Sequence, residues 1–186
     1  MGNKQARSEF LISNPVKLGG QGIICQIDES MFRYKQKYHT GRISQQNPWI
    51  FGIIETGRYP SKFYVQIVPD WTKRTLLPII QRICKAGTII WSDEFRSYRS
   101  LQNDLTHLTV NHTLNFVNPV NSVHTQNIES LWGLLKYKIK KMRGISTETL
   151  ENYLNFWIWK RNNGNDFEDL INLFIYFFLK KIIQPL

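Results

Sequence analysis

Cysteine is nearly absent from this chain. Cys25 and Cys84 are the only two in 186 residues, and neither belongs to a CxxC pair, which excludes a zinc finger and a disulfide framework and makes a reducing compartment the default. Long apolar runs are missing as well: the most apolar stretch, 170–179, meets Lys180 and Lys181 before it is long enough to span a bilayer. The N-terminus lacks the charged-then-apolar pattern of a signal segment. The sequence therefore reads as soluble and intracellular with no membrane partner, nuclear in a eukaryote or in the cytoplasm and nucleoid of a bacterium. There is no internal repeat and no low-complexity tract. Acids are the scarce charge, 14 against 24 Lys and Arg, giving a net charge of +10 and a pI near 9.7. That balance favours nucleic acid or another anionic surface as partner.

What is present is enough apolar material, 42% hydrophobic and 13% aromatic, for one ordered domain. Residues 1–22 are polar and glycine-bearing, a lead-in with at most a short helical piece near Phe10. The run IICQID (23–28) predicts a strand buried on both faces that ends at Asp28. In 31–47 the cations Arg33, Lys35, Lys37 and Arg42 are interleaved with Phe32, Tyr34 and Tyr38, a pattern that suits phosphates and stacked bases and equally suits a solvated hairpin. Two further strands, 49–55 and 62–69, flank a turn at 56–60. A helical period follows within 72–85. Pro78 argues for a start near Thr75 or an early distortion, because proline in a helix interior costs about 3 kcal/mol. TIIWSD (88–93) is a second acid-terminated strand, and it lies parallel to the strand at 62–69 in one sheet if the helix between them makes a right-handed crossover. A short helix at 94–101, a fifth strand at 106–110 and a polar loop at 111–122 come next. Asp70 reads as a helix-start acid, and Glu29 and Glu94 as structural or solvent-facing, since neighbours on a strand point oppositely.

The helix expected over 124–143 organises the rest. Ile128, Leu131, Trp132, Leu135, Ile139 and Met142 form its buried stripe, and Glu129, Gly133, Lys136 and Lys140 form a second stripe beside it. A carboxylate ahead of a row of lysines can hold a metal ion and steer a phosphate backbone, or can simply complement the helix dipole. Ser146 opens another helix, with Leu150, Tyr153, Leu154, Trp157 and Ile158 on its apolar face and Asn162-Asn163-Gly164 as its stop. A last helix, capped by Asp166, is expected over 164–186. The domain is thus expected over 23–163.

Three strands, helix, strand, helix, strand and then helices, with Asp28 ending the first strand, Asp93 the fourth and Glu129 on the helix after the fifth, is the ribonuclease H-like arrangement. The expected fold is a mixed five-stranded α/β sheet flanked by helices, with extra C-terminal helices. The blocks GGQGIICQIDESMFRYKQKYHTGR, WIFGIIE, VPDWTKRTLLPIIQ, TIIWSDEFRSYRSL, THLTVNHTLNFVNP and HTQNIESLWGLLK also resemble, in the same order from Gly19 to Lys160, successive blocks of the Merlin-type DDE transposases.

The resemblance implies a catalytic, metal-holding triad of Asp28 (in IDES), Asp93 (in SD) and Glu129 (in NIES). It implies two Mg²⁺ or Mn²⁺ ions, DNA as substrate, cleavage followed by strand transfer, and a homo-oligomer joining two element ends. The residue types suit that chemistry. Two ions about 3.5–4 Å apart activate the attacking oxygen and stabilise the leaving one, and such hard ions prefer carboxylate oxygens. Asn111 and His112 match the family's NH motif, and a phosphate contact or a bond to the loop backbone would each account for the His. His124 and Asn127 could orient Glu129 from behind or simply start the helix. Lys136 and Lys140 would contact the DNA backbone. Family members commonly carry FVDP where this chain has Phe116-Val117-Asn118-Pro119, and full-length relatives carry an N-terminal DNA-binding segment that the short lead-in is not expected to contain. The competing readings are a catalytically silent, transposase-derived DNA-binding protein and a structure-selective nuclease of the same superfold. Fold alone does not separate them.

Overall fold

The computed structural model describes residue 11 and residues 14–32, 47–103, 105–111, 116–141 and 146–163. Five strands, β1 (Ile24–Met31), β2 (Trp49–Glu55), β3 (Phe63–Val68), β4 (Ile89–Asp93) and β5 (Thr106–Val110), form one sheet in the order β3-β2-β1-β4-β5. The first three pair antiparallel, as the short turn after β2 demands, and β4 and β5 add parallel to β1. Helix α1 (Lys73–Ile83) joins β3 to β4, so those strands run the same way but lie apart, separated by β2 and β1. Helices α2 (Gln126–Lys141) and α3 (Thr147–Asn163) complete the described fold, with a 3-10 helix at Arg96–Asn103. This is the ribonuclease H-like mixed sheet that the order of elements predicts.

Alternation along the strands builds two cores. Cys25 and Ile27 of β1, Phe51 and Ile53 of β2 and Ile90 of β4 face α1, where Leu76, Ile80 and Ile83 meet them together with Tyr98. On the opposite face Ile50, Ile54, Phe63 and Val65 pack against Ile128, Leu131, Trp132, Leu135 and Ile139 of α2 and Leu150, Leu154 and Ile158 of α3. The expected buried stripe of α2 is therefore in place through Ile139, while Met142 lies outside the described residues. Leu18 is fully buried and bridges to Cys84, so residues ahead of Ile23 already belong to the folded unit.

Several boundaries differ from the sequence expectation, three of them with a bearing on the site or its frame. Strand β1 does not stop at Asp28 but runs to Met31, because β2 continues the antiparallel ladder to the Met31–Trp49 pair. Helix α1 starts at Lys73 rather than near Thr75 and keeps Pro78 inside it. Pro78 is exposed, so water can serve the carbonyl its ring leaves unbonded, and Asp70 Oδ1 secures the start by accepting bonds from the Thr72 amide at 2.9 Å and the Thr75 hydroxyl at 2.6 Å. The short helix after β4 is of the tighter 3-10 type and runs later, to Asn103. The final helix expected over 164–186 lies outside the described residues.

Candidate functional site

Side chains at alternate positions of β1 share a face, and the α2-facing set includes Gln26 and Asp28. The parallel ladder between β1 and β4 ends at the Gln26–Trp91 pair, so Asp28 has a strand neighbour on the β2 side only. That neighbour is Gly52. The Trp132 indole fills the space a side chain there would need, and its Nε1–H donates to Asp28 Oδ2 at 2.8 Å. Burial pushes the Asp28 carboxyl up to about 6; the indole opposes this, while the negative charges of Asp93 and Glu129 add to it.

Asp93 is the last residue of β4, as expected, and its Oδ1 accepts from the Phe95 amide at 3.1 Å. The Ser92 hydroxyl donates to the Asp93 carbonyl at 2.6 Å and shares a 2.8 Å hydrogen bond with His107 Nε2. Glu129 is exposed in the first turn of α2, where the buried Thr125 hydroxyl donates to its Oε1 at 2.7 Å. Asp93 and Glu129 thus each lie within electrostatic reach of Asp28. The three acids do not converge into a ready-made cage: among the described residues no three His, Cys, Asp or Glu side chains are gathered closely enough to enclose an ion.

The start of α2 is held by a strand residue. Gln26, fully buried, accepts through Oε1 from the amides of Asn127 at 3.0 Å and Ile128 at 3.2 Å. Its Nε2 lies 3.3 Å from His124 Nδ1, which also accepts from the Gln126 amide at 3.3 Å. Thr125 holds one oxygen of Glu129, while His124 and Asn127 meet Gln26. His124 instead takes a helix-start role and packs edge-on against Trp91. Asn111 donates to Glu94 at 2.7 Å. His112 lies outside them.

Glu29 points away from Asp28, as strand alternation predicts, and is half-buried. The fully buried Tyr98 hydroxyl donates to it. Burial pushes the Glu29 carboxyl up to about 7 against the opposing Tyr98 bond, with Asp28 and Asp93 adding to the rise. Asn118 ties the loop before α2 together: its side-chain amide donates to the Thr109 carbonyl at 3.3 Å, a bond an aspartate could not make.

Of the cations singled out in the sequence, Arg33, Lys35, Lys37 and Arg42 lie outside the described residues. Lys136 and Lys140 are exposed on α2 in line with Glu129. The Lys136 ammonium sits 5.5 Å from the Phe32 ring centre, and Phe32 packs edge-on against Trp132. Sequence reasoning missed Gln26, Gly52, Thr125 and the polar role of Trp132, which periodicity assigns to the core. The available signal was that Gln26 stands two residues before Asp28 inside an otherwise apolar strand.

Residues 18–162 match the family model described as the ISXO2-like transposase domain. An uncharacterized transposase-like protein of Haemophilus influenzae is 35% identical over 104 residues, covering 55% of this chain and 83% of that protein. Among solved structures, the catalytic core domain of BIV integrase superposes with a TM-score of 0.48 at 18% identity, over 77% of this chain and 86% of the other. A simian T-cell lymphotropic virus intasome structure gives a TM-score of 0.45 at 17% identity, over 81% of this chain and 53% of its own.

Proposed function

The chain belongs to the ISXO2-like transposase family, and from that premise we propose that it is a DDE-type catalytic domain that cuts DNA strands and transfers them with a divalent metal, Asp28, Asp93 and Glu129 being the acids that hold the metal. The observation that carries this reading is the surroundings of Asp28: a half-buried carboxyl bonded to the Trp132 indole is raised further by the charges of Asp93 and Glu129. Acids that repel one another across a half-buried site are stabilised by a shared cation, and a donor set of carboxylate oxygens fits Mg²⁺ or Mn²⁺. When bound, two such ions would supply an activated attacking oxygen and a stabilised leaving oxygen.

The chain's own residues position the acids and the substrate. The Trp132 indole fixes one Asp28 oxygen, the Phe95 amide one Asp93 oxygen and the Thr125 hydroxyl one Glu129 oxygen. Lys136 and Lys140 stand beyond Glu129 to neutralise a phosphate backbone, and Arg33, Lys35, Lys37 and Arg42 extend the cationic contact. Assembly as a homo-oligomer on DNA belongs to the same reading, because strand transfer brings two element ends together. The Merlin-type branch is supported by the ordered sequence blocks.

Nicking of supercoiled plasmid in Mn²⁺ tests this without knowledge of any element's ends. The wild type is expected to nick and Asp93→Asn to be inactive while both are retained alike on heparin. A folded wild type that holds DNA and does not nick would favour the catalytically silent, DNA-binding reading.

A further inference from the structure

We propose that Gln26 is a positioning residue that fixes the helix carrying Glu129 against the strand carrying Asp28, and so sets the distance between two acids of the site; this rests on the functional reading above. The first four amides of an α-helix have no partner within it. In α2 two of these, from Asn127 and Ile128, are taken by one side-chain oxygen from β1, at 3.0 and 3.2 Å. Backbone N–H groups only donate, so the oxygen of the Gln26 amide must face them and its NH₂ must face His124. The Gln126 amide donates to the same His124 nitrogen, which makes Nδ1 an acceptor and puts the ring proton on Nε2.

Two residues further along the same face of β1, Asp28 takes the Trp132 indole bond. Strand β1 therefore grips α2 at two points, and Glu129 lies between them in the helix. A buried amide whose polar groups all serve the start of one helix is an ordinary cap if the helix carries nothing. Here the capped turn carries Glu129, and the capping strand carries Asp28.

The test compares the full-length wild type with Gln26→Met, Gln26→Asn, Gln26→Glu and Asp93→Asn. Thermal melts, Mn²⁺ binding by calorimetry and the Mn²⁺ dependence of plasmid nicking are followed together. Gln26→Met, close in shape but without hydrogen bonds, is expected to raise the half-saturating Mn²⁺ by about 10- to 100-fold in both binding and nicking, with heparin retention unchanged. Gln26→Asn, too short to reach both amides, should shift the same way and serves if the Met variant does not fold. Gln26→Glu keeps an oxygen for Asn127 and Ile128 and, with the His124 ring proton moved to Nδ1 to donate to its second oxygen, should stay within a few-fold of wild type. If the Met and Asn variants melt earlier but bind Mn²⁺ and respond to it as the wild type does, or if Glu shifts as far as Met, Gln26 is a cap only and the proposal falls. A wild type that neither binds Mn²⁺ nor nicks, with Asp93→Asn indistinguishable from it, overturns the functional reading itself and this role with it.

Discussion

The indole of Trp132 occupies the place where residue 52 would have a side chain: a Cβ on Gly52 would lie 2.6 Å from Trp132 Cη2, closer than real Cβ atoms come. Gly52 is also the cross-strand partner of Asp28. One missing side chain thus admits the ring whose N–H reaches the carboxylate. Gly52→Ala is expected to push the ring away, lowering stability by roughly 1–3 kcal/mol as overpacking does, and to reduce Mn²⁺-dependent nicking with it. Circular-dichroism melts and plasmid nicking check both; an unchanged Tm would show that the indole moves aside at no cost.

Trp132→Phe separates the hydrogen bond from the packing. A phenyl ring still fills most of the space beside Gly52 but donates nothing, so the half-buried Asp28 carboxyl loses the bond that opposes its burial. Loss of a hydrogen bond to a buried charged group costs on the order of 1.5–3 kcal/mol. The expected outcome is a melt lowered by that amount and a higher Mn²⁺ requirement for nicking, with DNA retention unchanged. Equal stability of Phe and Trp at this position would reduce the indole to a packing element.

Glu29 lends the metal-free protein a pH dependence of definite sign. Its carboxyl rises from an ordinary 4.5 to about 7 in the folded chain, chiefly through burial. The folded state then holds a proton that the unfolded state releases, so stability falls as pH rises through this window and levels off above it. The full effect is on the order of 3 kcal/mol. Asp28, raised for a similar reason, acts in the same direction. Glu29→Gln can still accept the Tyr98 bond and should flatten the Glu29 part of the slope. Urea melts in chelator at pH 5 and pH 8 measure it, and a variant as pH-sensitive as the wild type would exclude Glu29 as the source.

The outer strand β3 is closed by a side chain. Asn162, in the last turn of α3, accepts from the Phe63 amide at 3.0 Å and donates to the Phe63 carbonyl at 2.8 Å, in the manner of a further strand residue. Open strand edges invite pairing with other chains. Asn162→Ala should cost about 1–2 kcal/mol for the two lost bonds, and Asn162→Asp should cost more, since it sets a carboxylate against a carbonyl. Melts of the two variants, read beside light scattering on heating, distinguish loss of stability from exposure of the edge.

Strand alternation and helical period are local signals, and what they govern was legible in the sequence: five strands in order, the buried stripe of α2, Asp93 at a strand end and Glu29 turned away from Asp28. The end of β1 was not legible, because it is set by pairing with β2 across the turn. Nor was most of the cap of α2. Sequence reading looks for a cap just before a helix, and here His124 takes only the Gln126 amide, while those of Asn127 and Ile128 are met by Gln26, 101 and 102 positions away. Trp132 was legible as apolar but not as a donor, since periodicity reports which face a ring lies on and says nothing of where its N–H points.

Charge and chemistry separate cleanly along α2, and variants can show it. Glu129 opens the exposed stripe and Lys136 and Lys140 follow at helical spacing, with Lys136 held near Phe32 beside the Asp28 end of the site. Asp28→Asn, Asp93→Asn and Glu129→Gln each remove one unit of negative charge from a basic protein. They should abolish metal-dependent cleavage while leaving DNA binding intact or slightly tighter. Lys136→Ala removes a phosphate contact, so binding should weaken and the slope of log K against log salt should fall by about 1. Filter binding at several salt concentrations, read beside nicking, checks the division. Four variants losing binding and cleavage in the same proportion would mean that the acids and lysines of this face serve one structural purpose, and the assignment of separate roles would be withdrawn.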